Sequence, residues 1–162
     1  MLKLAYLSLG SNVGEREQHL RDAIGRLGPV GRVVSVSSFY ETEPVEVTEQ
    51  PWFVNCAVEV ETAKAPQEVM AILLGIEETM GRRRRGKKGP RTIDMDILLF
   101  DDMVVDAPTL SIPHPAMHER RFVLEPLAEI APGARHPGLK RTVRELLDGL
   151  PAGQVVRKLL KT

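Results

Sequence analysis

The sequence predicts one α+β domain in which helices pack on an antiparallel β-sheet. Three observations support this prediction: a length of 162 residues, an apolar fraction of 43%, and apolar patterns that follow the order β-α-β-β-α-β. A chain of this length buries roughly 70% of the surface that its unfolded form exposes, so it folds without a disulfide or a metal. We therefore expect a single domain over residues 1–162.

The first half of the chain supplies a strand, a helix and two further strands. The apolar run at 2–9 predicts a strand, and residues 15–27 carry apolar side chains at the i, i+3, i+4, i+7 spacing of a helix. Residues 32–40 are rich in Val and Ser and predict a strand, which a polar loop at 41–51 follows. Residues 52–61 alternate, so that Phe53 and Asn55 share one face and Val54 and Cys56 share the other.

The second half supplies a helix, a strand and a tail. Residues 65–81 form an apolar helical stripe, and 92–100 predict a strand that a short strand at 103–105 follows. Short helices are expected near 115–124 and 127–130, and Thr142 with Glu145 is a capping box for a last helix to residue 150. The order is that of the split β-α-β, or ferredoxin-like, arrangement with a helical C-terminal tail.

The charge balance argues against a general nucleic-acid or membrane binder. Lys and Arg number 22 and Asp and Glu also number 22, whereas such binders carry a basic excess. No run reaches the roughly 18 apolar residues of a membrane span, and the N-terminal run is too short for a signal peptide. The one cysteine, Cys56, excludes an internal disulfide and fits a reducing compartment. We expect a cytoplasmic monomer that binds small molecules and neither nucleic acid nor membrane.

Asp94 and Asp96 form the sharpest local motif. Alternate residues of a strand point the same way, so both carboxylates lie on one face with Cα atoms about 6.5–7 Å apart. Mg²⁺ prefers one or two carboxylates together with water and the phosphate oxygens of a substrate. The alternative is a pair of strand-edge aspartates that accept hydrogen bonds from loop N–H groups or from Arg.

A basic run precedes the acidic pair. Seven of the ten residues at 82–91 are Lys or Arg. Arg forks match phosphate oxygens, and positive charge beside a candidate magnesium site favours a polyphosphate ligand. A solvated basic loop and a nucleic-acid patch are the alternatives.

Two weaker signals point to a heterocycle and a phosphate. Phe53 and Asn55 share a strand face, where an aromatic plane and an amide can hold a flat ring; a half-buried Phe and a satisfied Asn are the alternative. His114 lies between two prolines and can donate to a phosphate, or it can serve as a structural histidine bonded to the backbone.

Taken together, these segments resemble the 6-hydroxymethyl-7,8-dihydropterin pyrophosphokinase family of the folate pathway. The resemblance covers nearly the whole chain, and G-P-R-T-x-D-x-D-I-L at 89–98 is its most specific motif. The other matching segments are L-G-S-N at 9–12, S-F-Y-E-T-E-P at 38–44, Q-P-W-F-V-N at 50–55, I-P-H-P at 112–115 and R-R-F-V-L-E-P-L at 120–127.

The resemblance implies a ferredoxin-like fold and a reaction in which ATP gives its β,γ-diphosphoryl group to the hydroxymethyl oxygen of the pterin and AMP leaves. Asp94 and Asp96 would hold two Mg²⁺ ions, and these two residues with Arg82 and Arg91 would form the catalytic set. The implied ATP-binding residues are Glu77, Arg82, Arg84, Arg91, Ile97, Ser111, His114 and Arg120. The implied pterin-binding residues are Thr42, Glu43, Val45, Phe53, Asn55 and Phe122, with Phe53 and Phe122 on either side of the ring.

Three other functions stay open at this point. An RNA-binding module on the same fold would stack bases on exposed aromatics, but the chain has only four Phe, two Tyr and one Trp and no such motif. A pterin or nucleotide sensor would keep the pocket without the reaction. A kinase of another kind would release ADP instead of AMP.

Overall fold

The computed structural model describes residues 1–43, 52–81 and 92–159. In chain order the first elements are β1 (Lys3–Ser11), α1 (Arg16–Gly25), β2 (Arg32–Val36), β3 (Tyr40–Thr42), β4 (Phe53–Thr62), α2 (Pro66–Thr79) and β5 (Asp94–Phe100). The elements that follow are β6 (Val105–Ala107), β7 (Leu110–Ile112), a 3₁₀ turn (Met117–Glu119), α3 (Arg121–Ile130), β8 (Arg135–His136), β9 (Arg141–Thr142), α4 (Val143–Asp148) and β10 (Val156–Lys158).

The described residues form one main sheet with the strand order β10-β3-β4-β1-β5, and β2 also pairs with β4. Every ladder in this sheet is antiparallel. The predicted α+β class and ferredoxin-like order are confirmed. Strand β1 lies between β4 and β5, so its register decides which residues of those two strands face each other.

The sheet separates two apolar cores. Alternate residues of β4, among them Val54, Cys56 and Val58, pack with side chains of α1 and α2 on one face, as the alternation predicted. Ala57 packs on the opposite face with side chains of α3 and α4. Cys56 is 1% exposed, and burial raises the pKa of its thiol to about 12.

The strand predicted at 32–40 is broken, which corrects the sequence analysis. β2 ends at Val36, and β3 begins at Tyr40 and runs into Thr42, where a loop was expected. The Ser37 hydroxyl accepts a hydrogen bond from the Ala57 N–H and donates to the Ser38 carbonyl. Side-chain hydrogen bonds of this kind compete with the strand ladder, so the chain leaves the sheet here.

Two short helices were predicted near 115–124 and 127–130, but the structure has a 3₁₀ turn at Met117–Glu119 and then one helix, α3, which runs through Pro126. Pro126 lacks an N–H and removes one helical hydrogen bond. Val123, Leu124 and Leu127 of the same helix are at most 4% exposed, and this burial outweighs the lost bond.

The C-terminal tail is helical only in part. α4 begins at the predicted capping box, in which the Thr142 Oγ1 accepts from the Glu145 N–H at 3.1 Å. The hairpin β8-β9 precedes α4, and β10 returns to the main sheet; neither was predicted. No helix in the three described ranges is both long and apolar enough to span the membrane.

Gly31 packs directly against β4, where an added Cβ would collide with the Glu61 carbonyl oxygen. We expect Gly31→Ala to lower the free energy of unfolding by about 1–3 kcal/mol because the backbone has to move. Urea denaturation measures the change. Gly25→Ala is the control, since a Cβ at Gly25 has no neighbour within 4 Å; an equal loss in both variants would contradict this explanation.

His136 should make stability depend on pH. Its Nδ1 accepts hydrogen bonds from the N–H groups of Gly138 and Leu139 at 3.1 and 3.0 Å, and the residue is 8% exposed. Burial, and then the charge of nearby His118, lower the pKa of His136 below its ordinary value. The unfolded chain therefore binds this proton more tightly, and stability should fall as the pH drops below about 6.5.

Denaturation midpoints between about pH 7.5 and 5.5 test this expectation. His136→Asn keeps an acceptor oxygen and removes the titrating ring, so its stability should fall less across the same range. Identical pH profiles for the two proteins would show that another group is responsible.

Candidate active site

The predicted metal ligands and the predicted pterin ligands lie in one row across the sheet. Gly10 of β1 pairs with Asn55 of β4 on one side and with Asp94 of β5 on the other. Neighbouring strands are about 4.8 Å apart, so the main chains of Asn55 and Asp94 are about 10 Å apart. Directly paired residues point to the same face, which brings both predicted groups to one side of the sheet.

Asp94 and Asp96 alternate with buried residues, as the sequence predicted. Met95 and Ile97 are 1% and 3% exposed and lie in the core on the other face of β5, whereas the Asp96 side chain is 43% exposed. Ile97 was an expected ATP contact, but its side chain lies in this core, on the face opposite the two carboxylates.

Glu77 contacts the backbone of β5 from the α2 side of the sheet, between the two aspartates. It is 2% exposed on α2, and its Oε2 accepts a hydrogen bond of 2.7 Å from the Met95 N–H. The resemblance implied a contact with ATP for Glu77. The structure gives it a backbone contact that fixes the strand from which Asp94 and Asp96 project.

His114 faces the acidic pair from the turn after β7. Its backbone N–H donates to the Leu98 carbonyl at 2.9 Å, and its Nε2 lies 4.0 Å from the Asp96 Oδ2. Burial and then the charge of Arg120 lower the pKa of His114, although Asp94 opposes them. Its Nδ1 accepts from the Ala116 N–H at 3.2 Å, so the neutral ring carries its proton on Nε2, toward Asp96.

The donor set suits Mg²⁺ delivered with a nucleotide. Within the described ranges, no group of three or more His, Cys, Asp or Glu side chains is arranged to hold a metal. Mg²⁺ commonly takes one or two carboxylates from a protein, because water and substrate phosphates supply the rest of its coordination shell. One face of β5 offers two carboxylates.

The Asn55 amide is held in a fixed orientation. Thr42 and Asn55 are 2% and 4% exposed, and the Thr42 hydroxyl donates to the Asn55 Oδ1 at 2.6 Å. A Cβ on Gly10 would come within 2.6 Å of the Asn55 Nδ2 and 3.5 Å of the Phe53 Cδ1. The Asn55 amide therefore packs directly on the main chain of Gly10, and any residue with a Cβ at position 10 would displace it. This role of Gly10 was not predicted, because it depends on pairing with two distant strands.

Arg120 and Phe122 lie at the beginning of α3. The Arg120 guanidinium is 5.6 Å from the centroid of the Phe122 ring. An open cavity of about 300 Å³ lies beside them, and residues 150–154 line its other wall. Ser111 is exposed on β7.

The remaining predicted residues fall elsewhere or outside the described ranges. Glu43 faces the C-terminal segment, where its Oε1 accepts from the Val155 N–H at 2.9 Å. Val45, Arg82, Arg84 and Arg91 lie outside the described residues.

Comparison with known proteins gives one consistent result. A family model for 7,8-dihydro-6-hydroxymethylpterin-pyrophosphokinase (HPPK) matches residues 6–132. The chain is 47% identical over 132 residues to a Bacillus subtilis protein named 2-amino-4-hydroxy-6-hydroxymethyldihydropteridine pyrophosphokinase, covering 80% of this chain and 79% of that protein. A Methylorubrum extorquens protein of the same name is 43% identical over 152 residues, covering 92% of this chain and 95% of the relative.

Other similar proteins are much longer. The chain is 41% identical to the Schizosaccharomyces pombe folic acid synthesis protein fol1 and covers 21% of its length. A crystal structure of wild-type Plasmodium falciparum HPPK-DHPS with pteroate superposes with a TM-score of 0.72 at 18% identity, over 91% of this chain and 42% of that one. This likeness confirms the fold. The family model and the bacterial relatives show that the chain belongs to the 7,8-dihydro-6-hydroxymethylpterin-pyrophosphokinase family.

Proposed function

We propose that this chain transfers the β,γ-diphosphoryl group of ATP to the hydroxymethyl oxygen of 6-hydroxymethyl-7,8-dihydropterin and releases AMP, as a step of folate biosynthesis. The observation that carries the proposal is the row Asn55, Gly10 and Asp94, in which an oriented amide and an acidic strand share one face. Family membership and the names of the bacterial relatives support the same reaction.

The acidic strand forms the nucleotide end of the proposed site. Asp94 and Asp96 would hold two Mg²⁺ ions with the ATP phosphates, and Glu77 keeps their strand in place through the Met95 N–H. Bound Mg²⁺ neutralises polyphosphate charge and orients the reacting groups. His114 borders the acidic pair, and Arg120, whose charge acts on His114, supplies a permanent positive charge. Ser111, with Arg82, Arg84 and Arg91 from outside the described ranges, completes this proposed set, and Ile97 would belong to it only through its backbone, because its side chain is buried on the other face.

The amide row forms the pterin end. Asn55 presents an amide whose oxygen is fixed by Thr42, so its remaining hydrogen-bonding groups are set for a flat heterocycle. Phe53 lies next to Asn55 on the same face, and Phe122 would cover the opposite side of the ring. Glu43 and Val45 belong to the same proposed set.

This arrangement suits an in-line transfer. The hydroxymethyl oxygen of the pterin forms a bond to the β-phosphorus and loses its proton to solvent water, while the bond from that phosphorus to the oxygen retained by AMP breaks. Phosphoryl transfer depends on positioning and charge stabilisation more than on a strong base. The short separation of the two ends along one sheet row supplies the positioning. A monomeric, cytoplasmic enzyme is part of the same proposal, and size-exclusion chromatography tests the monomer.

Neutralising either aspartate should remove most activity. We expect Asp94→Asn and Asp96→Asn each to lower the rate of AMP release by at least about a hundredfold, which is the scale of one strong electrostatic contact at a reaction centre. Thermal unfolding should change little, because both side chains are partly exposed.

Asp102→Asn is the matched control, since Asp102 is exposed in the turn after β5. AMP release is measured with ATP, Mg²⁺ and the hydroxymethyl pterin, and with each substrate omitted. Near-normal turnover of Asp94→Asn would contradict the metal assignment. ADP as the product would identify a different kinase, and AMP release without pterin would remove the proposed acceptor.

Gly10→Ala should weaken pterin binding selectively. Its Cβ would displace the Asn55 amide and touch Phe53, so we expect the KM for the pterin to rise about tenfold. The KM for ATP should change far less. Gly133→Ala, at a position with no neighbour within 4 Å, is the control. Equal rises in both KM values for Gly10→Ala would show that the substitution perturbs the sheet as a whole.

A further inference from the structure

The C-terminal strand lies against the pterin end of the site. β10 forms the outer edge of the sheet beside β3, with Val156 paired to Thr42 and Arg157 paired to Glu41. The neighbouring residue Glu43 is held at three points: its N–H donates to the Val155 carbonyl at 3.3 Å, its carbonyl accepts from the Gln154 Nε2 at 3.0 Å, and its Oε1 accepts from the Val155 N–H. A segment more than a hundred residues away in sequence thus fixes the strand that carries Thr42.

Arg157 makes the central contacts of this edge. Its Nη2 donates to the Glu41 Oε1, and its guanidinium carbon lies 5.0 Å from the centroid of the Trp52 ring. Arg16, at the beginning of α1, approaches the same two residues. Its Nη1 donates to the Trp52 carbonyl at 2.6 Å, and its Nη2 lies 3.2 Å from the Glu41 Oε2. Two arginines from opposite ends of the chain therefore hold the Glu41 carboxylate, and Trp52 is contacted at its indole by Arg157 and at its backbone carbonyl by Arg16.

Glu41 and Trp52 each precede a proposed pterin residue. Glu41 is followed by Thr42, which orients Asn55, and Trp52 is followed by Phe53. Thr42 and Phe53 are direct partners in the β3-β4 ladder. Any shift of Glu41 relative to Trp52 changes this pairing and moves the amide and the aromatic ring against each other.

We propose that Arg157 is a positioning residue for the pterin: it fixes Thr42 and Phe53 through Glu41 and Trp52 without touching the substrate. This inference rests on the proposed function, since it assigns a role toward the pterin end of that site. The guanidinium suits the role because its plane stacks on an aromatic ring while its N–H groups bind a carboxylate, which a lysine ammonium cannot do at the same time.

The test compares Arg157→Ala and Arg157→Lys with Lys158→Ala. Lys158 is the matched control because it is the next residue of β10, is similarly exposed, and approaches Glu129 instead of Glu41. We expect Arg157→Ala to raise the KM for the pterin about fivefold and to leave the KM for ATP within about twofold, given contacts at a partly exposed site. Arg157→Lys should recover part of the loss, and Lys158→Ala should behave as the wild type.

Trp52 supplies an independent readout, because it is the only tryptophan of the chain. Arg157→Ala should shift its emission in the ligand-free protein, whereas Lys158→Ala should not. The inference is overturned if the pterin KM of Arg157→Ala is unchanged, or if both KM values rise together with a loss of thermal stability, which indicates a merely structural role.

Asn55→Ala separates this inference from the proposed function. If Asn55→Ala raises the pterin KM and Arg157→Ala does not, the pterin site stands and the positioning role is wrong. If the wild type neither releases AMP with the hydroxymethyl pterin nor binds it in a calorimetric titration, the proposed function and the inference that rests on it both fail.

Discussion

The register of β1 between β4 and β5 is the constraint on which the site depends. Gly10 brings Asn55 and Asp94 into one row, and Ser8 does the same for Ala57 and Asp96. A slip of one residue would turn every side chain of a strand to the other face and would bury the carboxylates in the core under α2. Ala5, Leu7 and Leu9 of β1 are fully buried and prevent this slip, so the core that stabilises the fold also sets the chemistry of its opposite face.

The charged groups around this row are supported by hydrogen bonds that the fold provides. A carboxylate as deeply buried as Glu77 is costly to desolvate unless it is well hydrogen-bonded, and the Met95 N–H supplies such a bond. His114 is likewise held at its backbone and at Nδ1, so only its Nε2 is directed at the acidic pair. The side chains that would contact a ligand are therefore positioned by neighbouring groups that would not contact it.

Short-range patterns in the sequence predicted the elements whose structure depends on neighbouring residues along the chain. The alternation around Met95 placed Asp94 and Asp96 on one face, and the stripe of α2 and the capping box at Thr142 were also correct. The break at Ser37 and the helix through Pro126 depend on contacts with distant strands, so short-range propensity could not predict them. The role of Gly10 depends on pairing with two strands at once, and β10 is too short to show a period. The acidic pair was thus predictable, whereas its supports were not.

The burial of Cys56 has a practical consequence. The thiol lies between β4 and the helices α1 and α2 and stays protonated at neutral pH, so an alkylating reagent can reach a reactive thiolate only when these helices and the sheet separate. The rate of alkylation then reports how often the core under the strand that carries Asn55 opens. A ligand that bridges β4 and β5 stabilises the closed sheet and should slow alkylation. The alkylation rate therefore measures substrate binding without turnover and without a chromophore.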